Sequence, residues 1–320
     1  MNRARQHILT RLGMSRKPVS GDDLASELGL SRAGVWKHIQ MLKKTGIDID
    51  ARAGKGYVLN SNIFNEGLLK AQLSTRRIGK QIMVLEETGS TNQDAMQQAG
   101  EGAEEGLVIF ANRQRQGKGR LGRTWHTMPE SLAASVLLRP DLPPEQVPQL
   151  SLLTAVALHE VLSRKAPDIR IKWPNDLLHH GKKVAGILTE MRAEPGRVHA
   201  VVLGFGINLA APADGWPSDI DKPVTDMATI SASPVSRTEL AVDILHALDQ
   251  WYDTCLQHGF APVQRAWWQA HAASGARVSV YDGRQYIEGI ATALDDDGAL
   301  LLDTANGIQR IIAGDLELLS

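Results

Sequence analysis

The chain has 320 residues, of which 43% are hydrophobic and 22% charged, a globular composition with a length typical of two or three domains. It has no apolar run long enough to span a membrane, no signal-peptide core and a single cysteine, Cys255, which excludes an intramolecular disulfide, so we expect a cytoplasmic protein. The net charge of −1 is unevenly distributed, because residues 1–60 carry 11 Lys and Arg against 5 Asp and Glu, which leaves −7 for the remainder.

Residues 1–60 have the pattern of a winged helix-turn-helix. The pattern predicts helices over Arg3–Leu12, over Ser20–Gly29 with those two residues as caps, and from Ser31 onward. The apolar residues of the third helix are spaced to face a core: Val35, Ile39 and Leu42. A hairpin over Ile47–Leu59, with Gly-Lys-Gly at its tip, completes the motif as a wing.

The charge balance of this first domain favours a polyanionic partner. In a helix-turn-helix the second helix of the motif enters the major groove, and a basic domain with cations on that helix is typical of DNA binding. A winged helix that binds only protein is the alternative. The predicted DNA-binding residues are Ser31, Arg32, Gly34, Trp36, Lys37, His38, Arg52 and Lys55.

A second domain begins after the polar segment 60–65. Ile82–Leu85 is a predicted strand, and Ser90-Thr-Asn-Gln93 fits the capping-box pattern, which places the start of a helix directly after that strand. Such a start offers free backbone N–H groups and small hydroxyls to a polar ligand.

The segment Ala111–His126 is the most unusual of the chain. It contains three glycines and five cations without an acid, and it follows an apolar strand, Leu107–Ala111. Glycines allow backbone N–H groups to approach an oxyanion and the cations neutralise its charge. Although Gly117–Gly122 fits G-x-G-x-x-G, the following Trp125–Pro129 does not start a helix, so neither a P-loop nor a dinucleotide fold is predicted.

In the next part of the chain, three predicted strands are each flanked by a short polar or glycine-containing segment. Leu132–Leu138 is a predicted strand and Pro148–Lys165 a helix, after which a strand ends in Lys172-Trp-Pro-Asn-Asp176. Two further strands are predicted, Val184–Glu190 behind Lys-Lys and Ala200–Phe205 before Gly-Ile-Asn208. No Ser-His-Asp or Cys-His constellation accompanies them.

The remainder contains an irregular segment, 210–235, and a capping box at Ser236–Glu239 that opens a helix ending near His258. From Ala276 onward, turn signals between short strands predict a small antiparallel barrel. Asp295–Asp297 lacks the alternating spacing of a calcium loop and is predicted to be a turn.

Taken together, five motifs resemble those of the biotin–protein ligases. They are Gly-Ser-Thr-Asn92, Gln-x-x-Gly-Lys-Gly-Arg-x-Gly-Arg-x-Trp125, Lys-Trp-Pro-Asn-Asp176, Lys-x-Ala-Gly-Ile187 and Gly-x-Gly-Ile-Asn208. With a winged helix in front, the chain resembles the bifunctional members, which are also biotin operon repressors. The resemblance implies an α+β multidomain fold: a winged helix-turn-helix (1–62), a mixed α/β domain of the class II synthetase-like, biotin–lipoate ligase type (66–272) and an SH3-like β-barrel (275–320).

The resemblance also implies a two-step reaction. Biotin's carboxylate attacks the α-phosphate of ATP to give biotinyl-5′-AMP and pyrophosphate, and a lysine of biotin carboxyl carrier protein of acetyl-CoA carboxylase then takes the biotin. The resemblance implies ATP and biotin as substrates and Mg²⁺ as the cofactor. As repressor, the chain is expected to bind an inverted-repeat operator as a homodimer with biotinyl-5′-AMP as corepressor.

By family match, each motif residue acquires an expected role. We expect Lys183, Arg120 and Lys118 to act in catalysis. We expect Asp176 to bind Mg²⁺. Lys118 stands where many relatives have Arg, so it keeps the charge and loses the bidentate fork. The expected biotin-binding residues are Ser90, Thr91, Asn92, Gln114, Lys118, Gly119, Arg120 and Lys183. The expected ATP- and adenylate-binding residues are Arg123, Trp125, Lys172, Asn175, Asp176, Gly204 and Asn208, with Trp216 as a candidate to cover the adenine.

Two rival functions stay open on the sequence. One is a biotin-responsive transcription factor without ligase activity, against which the Gly-Lys-Gly-Arg loop and Lys183 argue. The other is a lipoate or octanoate ligase-like enzyme, against which the winged helix, the Lys-Trp-Pro-Asn-Asp motif and the C-terminal barrel argue.

Overall fold

A computed structural model describes residues 3–15, 17–44, 47–60, 64–128 and 131–319, and the chain divides into two compact units. The smaller unit comprises Met1–Leu73 and Ser236–Val242, and the larger comprises Ser74–Val235 and Asp243–Ser320. None of the helices in the described ranges combines the length and apolar character needed to cross a membrane.

The smaller unit contains the predicted winged helix-turn-helix. Ser20 Oγ accepts a hydrogen bond from the N–H of Asp22, Gly29 ends the second helix in the left-handed region, and Ser31 Oγ accepts from the N–H of Gly34. Both predicted serine caps are therefore confirmed. The elements are α1 (Arg3–Gly13), α2 (Gly21–Leu28), α3 (Arg32–Lys44), β1 (Ile49–Arg52), β2 (Gly56–Leu59) and α4 (Glu66–Gln72).

The core of this unit decides which face of α3 is exposed. Val35, Ile39 and Leu42 are almost completely buried, as their spacing predicted. They pack with residues of the other elements: Ile8, Leu9, Leu12, Val19, Leu24, Ala25 and Ile49. Burial of one stripe of a helix leaves the opposite stripe in solvent, and Trp36 is accordingly 53% exposed.

The larger unit is built on a seven-stranded sheet with helices. Its strands follow the order β3-β4-β5-β9-β8-β7-β6, in which β3 and β4 are parallel and the other neighbours antiparallel. The elements are β3 (Gln81–Thr88), α5 (Thr91–Gly100), β4 (Leu107–Gln114), β5 (Leu132–Leu138), α6 (Val147–Ser163), β6 (Ile169–Lys172), β7 (Asp176–His179), β8 (Lys182–Glu194), β9 (Arg197–Ile207), α7 (Met227–Ile230) and α9 (Ala261–Ala270). Helix α8 (Arg237–His258) contributes its first six residues to the smaller unit and the rest to the larger.

The strand register brings the distant motifs to one region of this sheet. Asp176 on β7 pairs with Gly186 on β8, and Gly186 pairs in turn with Gly206 on β9. Ser135 on the fully buried strand β5 pairs with Gly204. Residues that are remote in sequence therefore become neighbours across four strands.

The C-terminal strands form a separate five-stranded antiparallel sheet in the order β13-β12-β11-β10-β14. The three predicted turns, at 282–283, 297–298 and 306–307, join consecutive strands of this sheet. The small antiparallel β domain is therefore confirmed. The strands are β10 (Arg277–Tyr281), β11 (Tyr286–Leu294), β12 (Leu300–Thr304), β13 (Gly307–Ile311) and β14 (Asp315–Leu318).

Three local predictions need correction. Strand β4 continues to Gln114 instead of ending at Ala111, because its residues pair with β3 as far as Thr88. Helix α5 begins after Ser90 as predicted, but the Ser90 side chain makes no capping hydrogen bond. The segment 210–235 is not wholly irregular, because it contains α7 and a bridge between Val224 and Lys183.

The segment before β3 is held by a buried carboxylate of α8. Asp249, which is 5% exposed, accepts hydrogen bonds from the backbone N–H groups of Arg76, Arg77 and Ile78 at 2.7–2.8 Å. One turn further along, Asp253 pairs with the side chains of the same two arginines. Asp249 thus satisfies three main-chain donors that have few alternatives in the interior.

We predict that Asp249→Ala lowers the free energy of unfolding by about 3 kcal/mol, because it removes the acceptor of three N–H groups. Asp253→Ala is the matched control and should cost about 1 kcal/mol, since its partners are exposed arginines. Urea denaturation of the two variants measures the difference, and equal losses would contradict the role assigned to Asp249.

Candidate functional site

A cavity opens above β5, β8 and β9. A second cavity adjoins it, and the two share six lining residues: Arg123, Thr124, Trp125, Asp176, Lys183 and Lys222. Asn208 and Trp216 line only the second. The first is lined by the remaining predicted ligand residues: Ser90, Thr91, Asn92, Gln114, Lys118, Gly119, Arg120, Arg123, Trp125, Lys172, Asn175, Asp176, Lys183 and Gly204.

One end of the first cavity is a buried polar network at the start of α5. Gln114 Oε1 accepts hydrogen bonds from the backbone N–H and the hydroxyl of Thr91, and Gln114 Nε2 donates to Thr127 Oγ1. Ser135 Oγ lies 2.8 Å from Thr91 Oγ1 and 2.6 Å from Asn92 Oδ1. Because these groups are held by one another and by the sheet, their remaining donors and acceptors have fixed directions.

Asn92 reaches its place only because position 204 is a glycine. A Cβ on Gly204 would lie 2.1 Å from Asn92 Oδ1. The amide nitrogen of Asn92 donates to Glu190 Oε2 at 2.7 Å and to the carbonyl of Leu188 at 3.2 Å. The amide is therefore oriented from both ends, with its oxygen toward Ser135 and its nitrogen toward Glu190.

The glycine–cation segment folds into a small loop over the cavity. Lys118 bridges to Thr124, and the N–H of Gly119 donates to the carbonyl of Arg123 at 2.7 Å. The indole of Trp125 then packs against β9, where a Cβ on Gly206 would lie 2.3 Å from the ring. The Trp125 Nε1–H has no hydrogen-bond partner among the described residues, so it is an open donor.

The other end of the first cavity is strongly cationic. Lys183 Nζ lies 2.6 Å from Asp176 Oδ1 and 5.5 Å from the centre of the Trp125 ring. Among the described residues that line this cavity, two are carboxylates, Asp176 and Asp315, and six are cations. Those cations are Lys118, Arg120, Arg123, Lys172, Lys183 and Lys222. The excess of positive charge predicts an anionic ligand.

Two of these cations are held away from water. Burial lowers the pKa of Arg120, although Asp315 and Asp176 act in the opposite direction. Burial also lowers the pKa of Lys172, and the neighbouring Lys222 adds to that effect. In both cases the charged form is destabilised by its surroundings, so an incoming anion gains more from these side chains than it would at an exposed surface.

Several residues that line the first cavity or hold its polar end were missed by the sequence analysis. Ser135 carried a weak signal, since it is the single polar residue of an apolar strand, and Glu190 carried none. Asp315, on β14, forms an ion pair with Arg123. Arg120 Nη1 lies 3.4 Å from Asn175 Oδ1 and 3.5 Å from the carbonyl of Gly314. The C-terminal β domain thus takes part in the site.

Two of the five loop cations do not reach either cavity. Arg113 and Arg115 both lie within 3.5 Å of Glu87 at the surface. The reason is the extension of β4, which pairs Arg113 with Glu87 across the parallel strands. The loop cations that line the first cavity are therefore Lys118, Arg120 and Arg123, the three to which the resemblance gave a role.

The predicted DNA-binding residues belong to the smaller unit and are mostly exposed. Arg32 forms an ion pair with Asp22 at 3.0 Å, in which both side chains are more than 60% exposed. Such a pair contributes little, so Arg32 is free to exchange Asp22 for a phosphate. Gly34 and His38 are half-buried, whereas the others are exposed: Ser31, Arg32, Trp36, Lys37, Arg52 and Lys55.

Comparison with known protein families yields three matches along the chain. Residues 84–208 match the Biotin/lipoate A/B protein ligase family, residues 4–58 an HTH domain, and residues 273–319 the Biotin protein ligase C terminal domain. The chain is 36% identical to the Bifunctional ligase/repressor BirA of Bacillus spizizenii, over 94% of each chain. It is 32% identical to the protein of that name from Escherichia coli, over 94% of this chain and 93% of that one.

Similar folds occur among solved structures. A biotin protein ligase from Aquifex aeolicus in complex with biotin and ATP is 26% identical, with a TM-score of 0.63 over 75% of this chain and 99% of that chain.

We predict that Gly204→Ala destabilises the larger unit by about 1–3 kcal/mol, because a methyl group there displaces the oriented amide of Asn92. Gly119→Ala is the matched control: its Cβ would make only ordinary contacts, the nearest at 3.4 Å, and its change should stay within about 0.5 kcal/mol. Denaturant unfolding of both variants is the measurement. A Gly204→Ala chain as stable as the control would show that Asn92 has room to move.

Proposed function

The chain belongs to the bifunctional biotin protein ligase/repressor family, and from this premise we propose that it is an ATP-dependent biotin–[acetyl-CoA-carboxylase] ligase and a DNA-binding repressor of biotin synthesis genes. The observation that carries the ligase function is one cavity with a rigid, buried polar end and a strongly cationic end beside Lys183. Its domains are proposed as residues 1–62, 66–272 and 275–320, and its compartment as the cytoplasm.

The polar end suits the ureido ring of biotin. A ureido group presents two N–H donors and one carbonyl acceptor, and the surrounding hydroxyl and amide groups offer both kinds of partner. The proposed biotin contacts come from Ser90, Thr91, Asn92 and Gln114. A site built around such hydrogen bonds discriminates against ligands that lack them by several orders of magnitude. Lipoate and octanoate have no ureido group, which favours the biotin ligase over the lipoate ligase-like alternative.

The cationic end suits adenylation. Biotin's carboxylate attacks the α-phosphorus of ATP, the bond from that phosphorus to the bridging oxygen breaks, and pyrophosphate leaves with the electron pair. Two anions have to approach each other, so the barrier falls when fixed positive charge surrounds the reacting phosphate. We assign this role to Lys183, Arg120 and Lys118. No nucleophilic side chain of the protein is needed, because the substrate carboxylate is the nucleophile.

The nucleotide is assigned to the adjoining cavity. Arg123 and Trp125 line both cavities, Asn208 and Trp216 line the adjoining one, and Lys172, Asn175 and Gly204 line the first. Trp125 or Trp216 offers an aromatic face to the base. Mg²⁺ usually binds through one or two carboxylates together with substrate phosphates. The two carboxylates of the lining fit that donor set, and Asp176 would hold the ion, which would neutralise phosphate charge.

In the second half-reaction the ε-amine of a carrier lysine attacks the carbonyl carbon of biotinyl-5′-AMP. An amide bond forms, the bond to the phosphate oxygen breaks, and AMP leaves. The proposed acceptor is the biotin carboxyl carrier protein of acetyl-CoA carboxylase. The cations that stabilised the α-phosphate also stabilise the departing AMP, so one constellation serves both steps.

The repressor function is assigned to the smaller unit. Helix α3 presents Arg32, Trp36 and Lys37, and the wing presents Arg52 and Lys55, in an arrangement that suits one half-site of an inverted repeat. We propose that biotinyl-5′-AMP orders the 117–125 loop, that the ordered loop supports a homodimer, and that two winged helices then bind the operator together. Leu121 at the loop tip is 78% exposed, as an apolar contact awaiting a second copy would be.

The ligase function predicts biotin-dependent ATP–pyrophosphate exchange by the purified chain, with lipoate and octanoate as inactive controls. Exchange with biotin alone supports the ligase. Failure with all three acids would leave a biotin-responsive transcription factor without ligase activity as the better reading.

In a separate single-turnover assay, Lys183→Ala should slow adenylation about 100-fold or more, as the loss of an oxyanion-type contact does. Lys182→Ala, at an exposed neighbouring position, is the control and should keep wild-type rates. Thermal melts report whether both variants stay folded. A folded Lys183→Ala chain with unchanged adenylation would remove Lys183 from its catalytic role.

For the repressor, we expect biotinyl-5′-AMP to raise both the dimer fraction in sedimentation velocity and the affinity for the chain's own upstream DNA. Lys55→Ala should weaken DNA binding and reduce the slope of log affinity against log salt by about 1, without changing the dimer fraction. An identical monomer fraction with and without the adenylate would exclude the dimer route. If the chain causes no electrophoretic shift of this DNA under any condition, a winged helix that binds only protein is favoured.

A further inference from the structure

Three metal-ligand side chains meet at the edge of the seven-stranded sheet, outside both cavities. Asp168 directly precedes β6, His179 ends β7 and His180 follows it. One nitrogen of each imidazole and one carboxylate oxygen all lie within 4.8 Å of one another. Within the described residues, this is the one group of three or more His, Cys, Asp or Glu side chains that meets this distance.

The strand register is what brings these residues together. Ile169 on β6 pairs with His179 on β7, so the residue before β6 lies beside the residue after β7. His180 Nε2 lies 3.5 Å from Asp168 Oδ2, and the centres of the two imidazole rings are 4.3 Å apart. The cluster therefore rests on backbone pairing, and it does not depend on long, flexible side chains meeting by chance.

The turn that carries His180 has an unusual backbone. His179 pairs with Lys182, so His180 and Gly181 are the two central residues of a hairpin turn. Both have positive φ angles, 46° and 77°, as a type I′ turn requires. Asn is the usual residue at the first of these positions, and a histidine there occupies a sparsely populated conformation. That conformation directs its ring toward Asp168 and His179.

The donor set selects a class of metal. Two imidazoles with one carboxylate suit zinc, copper and nickel, whereas magnesium and calcium prefer oxygen ligands. In a tetrahedral site with metal–ligand distances of about 2.0–2.2 Å, the ligand atoms lie roughly 3.3 Å apart. The His180–Asp168 pair is already near that spacing at 3.5 Å, and His179 offers a ring nitrogen within 4.8 Å of both. Water would take the fourth position.

We propose that Asp168, His179 and His180 form a surface site for a divalent transition-metal ion, with Zn²⁺ as the ion to test. The bound ion would connect the start of β6 to the β7–β8 turn and so close the outer end of two consecutive hairpins. The opposite end of β7 carries Asp176, and Lys183 lies on β8. The site is separate from the Mg²⁺ position assigned to Asp176, because none of its three residues lines either cavity.

The test is a Zn²⁺ titration of the full chain in metal-free buffer against a chromophoric zinc indicator. We expect one ion per wild-type chain at this site. The decisive variant is His180→Asn, which removes an imidazole and places the preferred residue in the turn, so the fold is retained. It and His179→Gln should weaken binding tenfold or more, and Asp168→Asn should also weaken it. His258→Gln, at an exposed histidine elsewhere, is the control and should bind as wild type.

Two further readouts separate this site from the active site. The Cu²⁺-loaded chain should give an electron paramagnetic resonance spectrum with nitrogen coupling, which His180→Asn and His179→Gln reduce. ATP–pyrophosphate exchange in metal-free buffer supplemented with Mg²⁺ alone should be unchanged in His180→Asn. Absence of Zn²⁺ binding to the wild-type chain, or equal affinity in wild type and His180→Asn, would overturn the proposal. An excess of Mg²⁺ that displaces the Zn²⁺ would also overturn it.

Discussion

The concentration of positive charge around one cavity is the constraint on which the larger unit depends. Six cations lie in a lining that contributes two carboxylates, Asp176 and Asp315, and each carboxylate is already paired. Like charges in a partly buried space repel one another unless an anion joins them. The structure holds them in place through the sheet, which carries Lys172 and Lys183 on strands, and through the loop over it.

Rigidity at the polar end complements charge at the other. Gln114, Thr91, Ser135 and Asn92 form a chain of hydrogen bonds, and Gly204 leaves room for its last member. A network of this kind selects a ligand by leaving unpaired groups behind when the wrong ligand enters. In the proposed function, recognition and reactivity therefore occupy opposite ends of one cavity, and the substrate would connect them.

The β6–β7–β8 region carries two separate clusters of charged and metal-ligand side chains. One end of β7 presents Asp176 beside Lys183, and the other end places His179 and His180 beside Asp168. Tight turns make both arrangements possible, since three residues join β6 to β7 and a two-residue turn joins β7 to β8, which fixes the register of these strands. The same strand pairing thus places the Asp176–Lys183 ion pair at one point and a proposed metal site a few residues away.

The sequence by itself determined the winged helix, most of the strands and longer helices, and the motif residues around the cavity, but it did not predict α4, β7, α7 or α9. Periodicity, caps and turn residues act over a few positions, so the core residues Val35, Ile39 and Leu42 could be named in advance. The family resemblance, carried by short motifs, named the residues that the cavity brings together. The boundaries of elements were less accessible, as the extension of β4 illustrates.

Only the tertiary structure decided which charges act together. Arg113 and Arg115 pair with Glu87 at the surface, whereas Arg123 pairs with Asp315, 192 residues further along the chain. Asp168 and His180 likewise meet only through the register of β6 and β7. Such pairs depend on which strands lie side by side and on which face each side chain projects. Neither is encoded in the local pattern around any one residue, and packing of the whole sheet settles both.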